Sequence, residues 1–311
     1  MSSGKIVALA LAAVTFGAGL YVGKSAEPAP VITSSTGGAS FSGGFKQEGN
    51  EGAVKTRTTA GNTHVVNEGE SIQAAVKLAQ PGDTIQVMPG TYSETVYIDK
   101  DDIHLVGVIK AGERATMDGQ GKLNDAILYS GNNVVIENFK ITKYKGNGIM
   151  GQAGNNFEIR NNIIIDTGVY GIFPQFGKNG LVAYNELSGI EDAAIYVGMC
   201  DNIDVLYNET INSVMGIETE NSRNILVEGN SMSNNSVGIM ISLVPGLPIK
   251  TADKTIVRNN FIVNNNHVNF APEGAIASGL PRGVGLVIYG ADGNIVENNL
   301  FKNNNSAYGI A

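Results

Sequence analysis

The feature that most constrains the fold is an internal repeat with a period of about 22 to 23 residues. Aliphatic side chains recur at this spacing in two separate columns. The first column is Ile136, Ile159, Val182, Val205 and Val227, and the second is Ile127, Ile149, Ile172, Ile195, Ile217 and Ile239. A Gly or Ala precedes every member of the second column. Two columns with one period predict short strands that stack coil on coil, as in a parallel β-solenoid.

Asparagine forms a further column in the same repeat. Identical amides one coil apart can hydrogen-bond in a ladder, and asparagine tolerates the left-handed φ of a tight turn. The 40 glycines and the absence of tryptophan also favour turns at short intervals. We therefore interpret one set of asparagines as structural: Asn162, Asn185, Asn208, Asn230, Asn260 and Asn299.

Residues 1–61 lie outside this pattern. Residues 1–26 contain Lys5 and then an apolar run, which indicates an export signal peptide or an uncleaved N-terminal membrane anchor. Residues 27–61 are rich in Pro, Ser, Thr and Gly, and we predict a flexible linker there. Residues 62–311 form the predicted solenoid domain. We expect the protein to be periplasmic, at the cell surface or secreted.

The two ends of the predicted solenoid differ. Ser71 is a candidate N-cap for a short helix that runs to Ala79 and ends before Pro81-Gly82, so we expect this helix to cover the N-terminal end. Strands are predicted next, over 84–87 and 95–98. The chain finishes in the strand phase of the repeat, and we expect a partner, a second copy or the linker folding back to cover its last coil.

Charge and cysteine content exclude several classes of protein. The net charge of -8 and the pI near 5.0 would repel a polyanion, so nucleic acid is not an expected partner. The single cysteine, Cys200, allows neither an internal disulfide nor a thiolate metal cluster. We expect it to be a small packed residue in a turn.

The segment PGDTIQVMPGTYSETVYI (81–98), with the Gly-Ile and Asn-Asn repeats, resembles right-handed parallel β-helix proteins of the pectin-lyase-like class. The resemblance covers about residues 64–311 and implies an all-β, three-sheet, right-handed solenoid. The class includes polysaccharide lyases, hydrolases, mannuronan C5-epimerases and copper-site maturation proteins, so it implies no single reaction. The Asp-Pro-His signature of the epimerases and the pectate-lyase signatures are absent. GIETENS, VPGLPIK and NFAPEG resemble an exported subgroup of β-helix-repeat proteins.

Candidate functional residues follow from strand alternation. If the Gly-Ile isoleucines face inward, Glu218 and Glu220 project side by side from the outer surface. Three further side chains are expected beside or below them as substrate-binding residues, namely Phe173, Gln175 and Tyr196. Two insertions, the 243–253 loop and the 267–283 loop, interrupt the repeat and are expected to rim the same face. They contribute Lys250, His267 and Arg282 as further candidate catalytic residues.

This set of residues permits several chemistries. Two carboxylates about 6.5 to 9.5 Å apart fit an inverting glycoside hydrolase. They also fit calcium binding, whereas a lyase or epimerase needs a base such as Lys250, His267 or Tyr196, with Arg282 or a cation to neutralise a uronate. We therefore expect a protein that binds or modifies carbohydrate.

Other interpretations stay open at this point. Exposed glutamates on a strand are commonly solvated residues without a further role. A non-catalytic scaffold that docks another exported protein is one alternative. Periplasmic metal handling is a minor one, and it would use the thioethers of Met150, Met199, Met215 and Met240, although Met215 is expected to face inward.

Overall fold

The computed structural model describes residues 61–305, which form a parallel β-solenoid of about eight coils with three sheets and 23 residues per coil. This confirms the predicted fold class. The predicted signal or anchor segment, nearly all of the predicted linker and residues 306–311 lie outside the described residues. Within residues 61–305, no helix is long and apolar enough to cross a membrane.

Strands are numbered in chain order, and neighbours within each sheet are parallel. Sheet A contains β1 (Thr63–Val66), β2 (Thr84–Val87), β5 (His104–Gly107), β8 (Val135–Glu137), β11 (Glu158–Arg160), β14 (Lys178–Ala183), β17 (Asp201–Leu206), β20 (Arg223–Glu228), β23 (Ile256–Arg258) and β26 (Ile295–Glu297). Sheet B contains β3 (Gly90–Tyr92), β6 (Ala115–Asp118), β9 (Lys140–Thr142), β12 (Ile163–Ile165), β15 (Glu186–Ser188), β18 (Glu209–Ile211), β21 (Ser231–Ser233), β24 (Phe261–Val263) and β27 (Leu300–Lys302).

Sheet C is the sheet that carries the Gly-Ile repeats. Its strands are β4 (Val96–Ile98), β7 (Ile127–Tyr129), β10 (Ile149–Gln152), β13 (Ile172–Gln175), β16 (Ala193–Gly198), β19 (Met215–Glu220), β22 (Val237–Ser242) and β25 (Val284–Tyr289). The 243–253 loop follows β22, and the 267–283 loop precedes β25 and contains a 3-10 helix, Ile276–Gly279. Both insertions therefore adjoin sheet C in the chain.

A short helix, α1 (Ile72–Leu78), covers the N-terminal end of the stack, as predicted. The Oγ of Ser71 accepts a hydrogen bond from the backbone N–H of Ala74, so Ser71 is the N-cap. Ile72 and Val76 are buried in the main core, and the helix contacts β1, β2 and β4. The helix therefore shields the apolar interior of the first coil from water.

Both predicted aliphatic columns pair in register and are buried. The sheet A column runs from Leu105 through Ile136, Ile159, Val182, Val205, Val227 and Val257 to Val296. The sheet C column runs from Ile127 to Ile239 and continues at Leu286. Val296, in the last described coil, is 36% exposed, whereas the earlier members are fully buried.

The predicted asparagine ladder is present. The side-chain oxygen of Asn185, for example, accepts hydrogen bonds from the backbone N–H and the side-chain amide of Asn162 at 3.0 and 3.1 Å. The left-handed φ, however, belongs to the preceding residue in each turn, such as Asn161 or Tyr184. In each turn, the ladder asparagine therefore points inward, while the residue before it adopts the left-handed φ that reverses the chain. The expectation that one asparagine does both is wrong.

Candidate functional site

Strand β19 places two glutamates on the outer face of sheet C. Ile217 and Thr219 face the core with almost no exposure, so Glu218 and Glu220 point the other way. The backbone register aligns Glu218 with Tyr196 on one neighbouring strand and with Met240 on the other. It aligns Glu220 in the same way with Gly198 and Ser242.

This outer face is covered in part by apolar packing. We call the packed group the outer cluster; it comprises Phe173, Ala193, Tyr196, Val214, Met215, Val237, Ala277 and Val284, with Met150, Tyr170, Met240, Ala271, Leu280 and Val287 against it. Ala271, Ala277 and Leu280 belong to the 267–283 loop, so that insertion folds onto sheet C. Glu218 is only 6% exposed as a result. The interpretation of Glu218 as a solvated strand residue is therefore wrong.

Three aromatic rings lie beside the glutamates. The rings of Tyr170 and Tyr196 are stacked with their centroids 4.6 Å apart, and Phe173 meets both at 4.6 to 4.8 Å. The hydroxyl of Tyr196 donates a hydrogen bond to Oε1 of Glu220. Gly198 makes this geometry accessible, because a Cβ at that position would lie 2.7 Å from a ring carbon of Tyr196.

The carboxyl groups of this face share an unfavourable electrostatic environment. Burial raises the pKa of Glu218 well above its usual range, and the nearby carboxyls of Glu220 and Asp192 raise it further. Burial and the charge of Glu220 raise the pKa of Asp192 to about 7. Burial also raises the pKa of Glu220, but the hydrogen bond from Tyr196 lowers it. Glu218 is therefore the carboxyl that is most readily kept protonated.

Glu218 also lacks a structural partner. Within residues 61–305, no hydrogen bond or ion pair to its carboxyl group is present. The Oγ of Ser242, which is buried and aligned with Glu220, has no hydrogen-bond partner in the same part of the chain. Buried polar groups are normally paired, so an acidic side chain that is 6% exposed and has no partner among the described residues is a candidate for a role other than stability.

The other predicted site residues occupy different positions. Gln175 lies in the outward column, one coil before Gly198, and is partly exposed. Lys250 and Arg282 are exposed, and among the described residues neither forms an ion pair. The Nδ1 of His267 lies 2.7 Å from the carbonyl oxygen of Val268, and its ring packs edge-on against Phe270. The structure therefore groups Glu218, Glu220, Tyr196 and Phe173, but not the three basic residues.

Sequence reasoning misses two members of this group and misplaces a third. Tyr170 and Asp192 lie just before β13 and β16, in turns where strand alternation gives no direction. The alternation predicts that Met215 faces inward, yet it belongs to the outer cluster. The reason is Gly216, where an added Cβ would meet Oγ1 of Thr210 at 2.7 Å, so this glycine takes the inward position next to Ile217.

Two further expectations concern metals and the cysteine. Among the described residues, no group of three or more His, Cys, Asp or Glu side chains is arranged to hold a metal ion. Cys200 is fully buried, and its Sγ lies 3.4 Å from two backbone carbonyl oxygens, as expected for a packed turn residue. Burial raises the pKa of this thiol to about 12, which keeps it unreactive.

Comparison with known proteins agrees with this architecture. Residues 120–243 match the family model described as the right handed beta helix region. The chain has a right-handed parallel β-helix fold. No curated protein matches the sequence.

Several solved structures share this β-helix at low sequence identity. The periplasmic alginate epimerase AlgG is 15% identical with a TM-score of 0.55, and the match covers 76% of this chain but 55% of the epimerase chain. DFA-IIIase from Arthrobacter chlorophenolicus A6 is 13% identical (TM-score 0.52; 78% of this chain and 79% of that one). The Yersinia enterocolitica family 28 exopolygalacturonase is 12% identical (TM-score 0.51; 78% and 66%). These likenesses establish the fold and nothing about the reaction.

Proposed function

We propose that this β-helix protein binds carbohydrate on the outer face of sheet C and hydrolyses a glycosidic bond there. One observation carries the proposal. Glu218 is a carboxyl group that is almost fully buried, has no partner in the described residues and lies next to a second carboxyl and an aromatic cluster. A carboxylic acid kept protonated in an apolar site is the usual general acid of glycosidases.

The two glutamates then have different roles. Glu218 donates its proton to the glycosidic oxygen as the bond from that oxygen to the anomeric carbon breaks. Glu220, whose carboxylate is stabilised by the hydroxyl of Tyr196, accepts a proton from the water that attacks the anomeric carbon. The Cα atoms of residues two apart on a strand lie about 6.5 to 7 Å apart. Two parallel side chains at that spacing hold their carboxyl groups near the separation of about 6.5 to 9.5 Å that is typical of inverting enzymes. Solvent returns the proton from Glu220 to Glu218 after each turnover.

Hydrolysis fits this arrangement better than elimination or epimerisation. Those reactions remove a proton next to a uronate carboxylate and need a base and a cationic group around it. Lys250 and Arg282 are exposed, and neither adds a positive charge to the surroundings of Glu218 or Glu220. The carbohydrate-acting neighbours AlgG and the exopolygalacturonase support the ligand class but not one reaction.

We also propose that the protein works outside the cytoplasm. The apolar segment within residues 1–26 and the periplasmic location of the epimerase neighbour support this proposal. Anchoring at the N-terminus, docking of an exported protein partner and association through the last coil stay predictions.

The test is a panel of oligosaccharides with three variants. Wild type, Glu218→Gln and Glu220→Gln are compared with Glu209→Gln, which changes an exposed glutamate on sheet B. We expect at least one oligosaccharide to raise the melting temperature of wild type and to release reducing ends. Both site variants should lose the release of reducing ends, and the control should keep it. No binding by any member of the panel, or equal activity in Glu218→Gln, would contradict the proposal.

A further inference from the structure

Within residues 61–305, no ion pair neutralises the carboxyl groups on the outer face of sheet C. None of the ion pairs formed within residues 61–305 includes Asp192, Glu218 or Glu220. The charged groups that act on Glu218 are two other carboxyls. The same is true of Asp192, on which Glu220 acts. Any ligand of this face therefore meets the ionised carboxylate of Glu220 and two further acidic groups, with no ion pair to offset them.

The basic side chains nearest to this face in the chain do not offset that charge. Lys250 and Arg282 project into solvent from their loops. The ring of His267 is engaged with the Val268 carbonyl and with Phe270. The net charge of the whole chain, -8, adds repulsion at longer range.

A uronate in this position would be strongly disfavoured. It would bring one carboxylate per sugar residue next to the ionised Glu220 and would disfavour ionisation of Asp192 and Glu218 further. Like charges placed together at an interface weaken binding unless a cation separates them. The site would then either reject the ligand or need a cation between the uronate and the protein carboxylates.

The same surface suits a sugar without charge. Sugar hydroxyls can donate hydrogen bonds to Glu220 and Asp192, which are both partly exposed acceptors. The apolar face of a pyranose or furanose ring can pack on aromatic carbon. Phe173 and Tyr196 are buried, and Tyr170, which packs against both, is the partly exposed ring of this aromatic group beside the carboxyls. A hydrogen bond to an ionised carboxylate is stronger than one to a neutral acceptor, so a sugar hydroxyl gains most from the ionised Glu220.

We infer that the ligand of this β-helix is a neutral glycan and not a polyuronate. The inference rests on the proposed function, because it names the class of carbohydrate that the same face accepts. It also separates this chain from the alginate epimerase that shares its fold, since that protein is named for a uronate polymer.

The experiment compares neutral and anionic probes of equal length on the full chain. The neutral probes are hexasaccharides of glucan, xylan, mannan, galactan and fructan. The anionic probes are hexasaccharides of galacturonate and of alginate, each measured with calcium and with a chelator so that a bridging cation is not overlooked. Calorimetry gives the affinities, and Glu218→Gln and Glu209→Gln are measured in parallel.

The outcomes separate the two proposals. We expect at least one neutral probe to bind about tenfold more tightly than either uronate, a difference of about 1.4 kcal/mol, and Glu209→Gln to bind like wild type. Binding of a uronate as tightly as the best neutral probe, with or without calcium, would overturn the inference while leaving a carbohydrate function intact. Binding of no probe at all would overturn the proposed function itself.

Discussion

The outer faces of sheets A and C show two treatments of the same kind of residue. On sheet A, Glu137 accepts a hydrogen bond from Nε2 of His104 at 2.7 Å and pairs with Nε of Arg160 at 3.1 Å. Sheet A repeats this arrangement at Glu228, which pairs with Arg258 at 2.9 Å. On sheet C, Glu218 is more deeply buried and has no such partner among the described residues.

Glu137 and Glu218 differ in whether the folded state favours their ionised form. The partners of Glu137 lower its pKa, so the folded state favours its ionised form. Burial raises the pKa of Glu218, so the folded state opposes its ionisation. Both sheets follow the same alternation of inward and outward residues, and the scaffold therefore does not require an unpaired acid. Groups that cost stability are commonly kept for activity.

The largest expected effect is on activity and distinguishes the two faces. Glu218→Gln should lower the rate of glycoside hydrolysis by about 100-fold or more, because the general acid is lost. Glu137→Gln removes a carboxylate from the other face and should leave the rate unchanged. Initial rates on the best substrate of the panel measure both. Equal losses of rate in the two variants would show that Glu218 contributes no more to catalysis than Glu137.

The second effect is on stability, which Glu137→Gln should lower more than Glu218→Gln. Glu137→Gln should lower the free energy of unfolding by about 1 to 2 kcal/mol, because it removes charge-assisted bonds to partly buried partners. Glu218→Gln should change it by less than about 0.5 kcal/mol or increase it, because no partner is lost. Denaturant unfolding of the full chains measures both values. A loss above about 2 kcal/mol in Glu218→Gln would make that carboxyl a structural group.

The third effect is the dependence of stability on pH. Raised pKa values at Glu218 and at Asp192, the latter about 7, mean that the folded state holds protons that the unfolded chain releases above its ordinary carboxyl pKa. Stability should therefore fall as the pH rises from about 5 to 8, by about 1.4 kcal/mol for each pH unit by which folding raises a pKa. Glu218→Gln should flatten this slope.

Glu137 on sheet A behaves in the opposite sense to Glu218. The lowered pKa of Glu137 contributes stability above its ordinary pKa, and this contribution is lost as the pH falls through the folded value. Glu137→Gln should therefore change the unfolding curve below about pH 5 and leave the slope between about pH 5 and 8 unchanged. Unfolding midpoints of wild type, Glu218→Gln and Glu137→Gln, determined across pH, provide the measurement. Identical curves would show that the two faces do not differ in protonation.

The smallest effect concerns Tyr196→Phe. Its hydroxyl lowers the pKa of Glu220, so its removal should raise that pKa. Because the base must be ionised, the acidic limb of the pH-rate profile should move to higher pH, by less than about one unit. Tyr184→Phe, which changes an exposed tyrosine, is the control and should leave the profile in place. An unmoved acidic limb in Tyr196→Phe would remove Glu220 from the role of base.

The repeat makes much of the fold predictable. Its period fixes which residues stack, and alternation fixes which of them face inward, so Ile195 and Ile217 pair as expected. Ser71 is identifiable as a cap because its side chain serves the helix immediately after it. These signals are local or periodic and need no knowledge of distant contacts.

The environment of the glutamates is not predictable in this way. Glu218 lies between Tyr196 and Met240 of the outer cluster, onto which the non-repetitive 267–283 loop also packs through Ala277 and Leu280, and no periodic signal encodes that packing. Asp192 and Tyr170 lie in turns, where direction depends on the actual φ and ψ angles. A second ladder, which was not predicted, has the same spacing in the sequence as the first. It runs from Ser213 through Asn235 and Asn265 to Asn304.

Glu218 is held protonated on this face, and the fold does not depend on its ionised form. Infrared difference spectroscopy of wild type and Glu218→Gln across pH tests it directly, through the carbonyl band of a protonated carboxyl group. We expect a band that persists at about pH 7 in wild type and is missing from the variant. Titration of every glutamate in wild type at its ordinary pKa, with no band at neutral pH, would contradict the account.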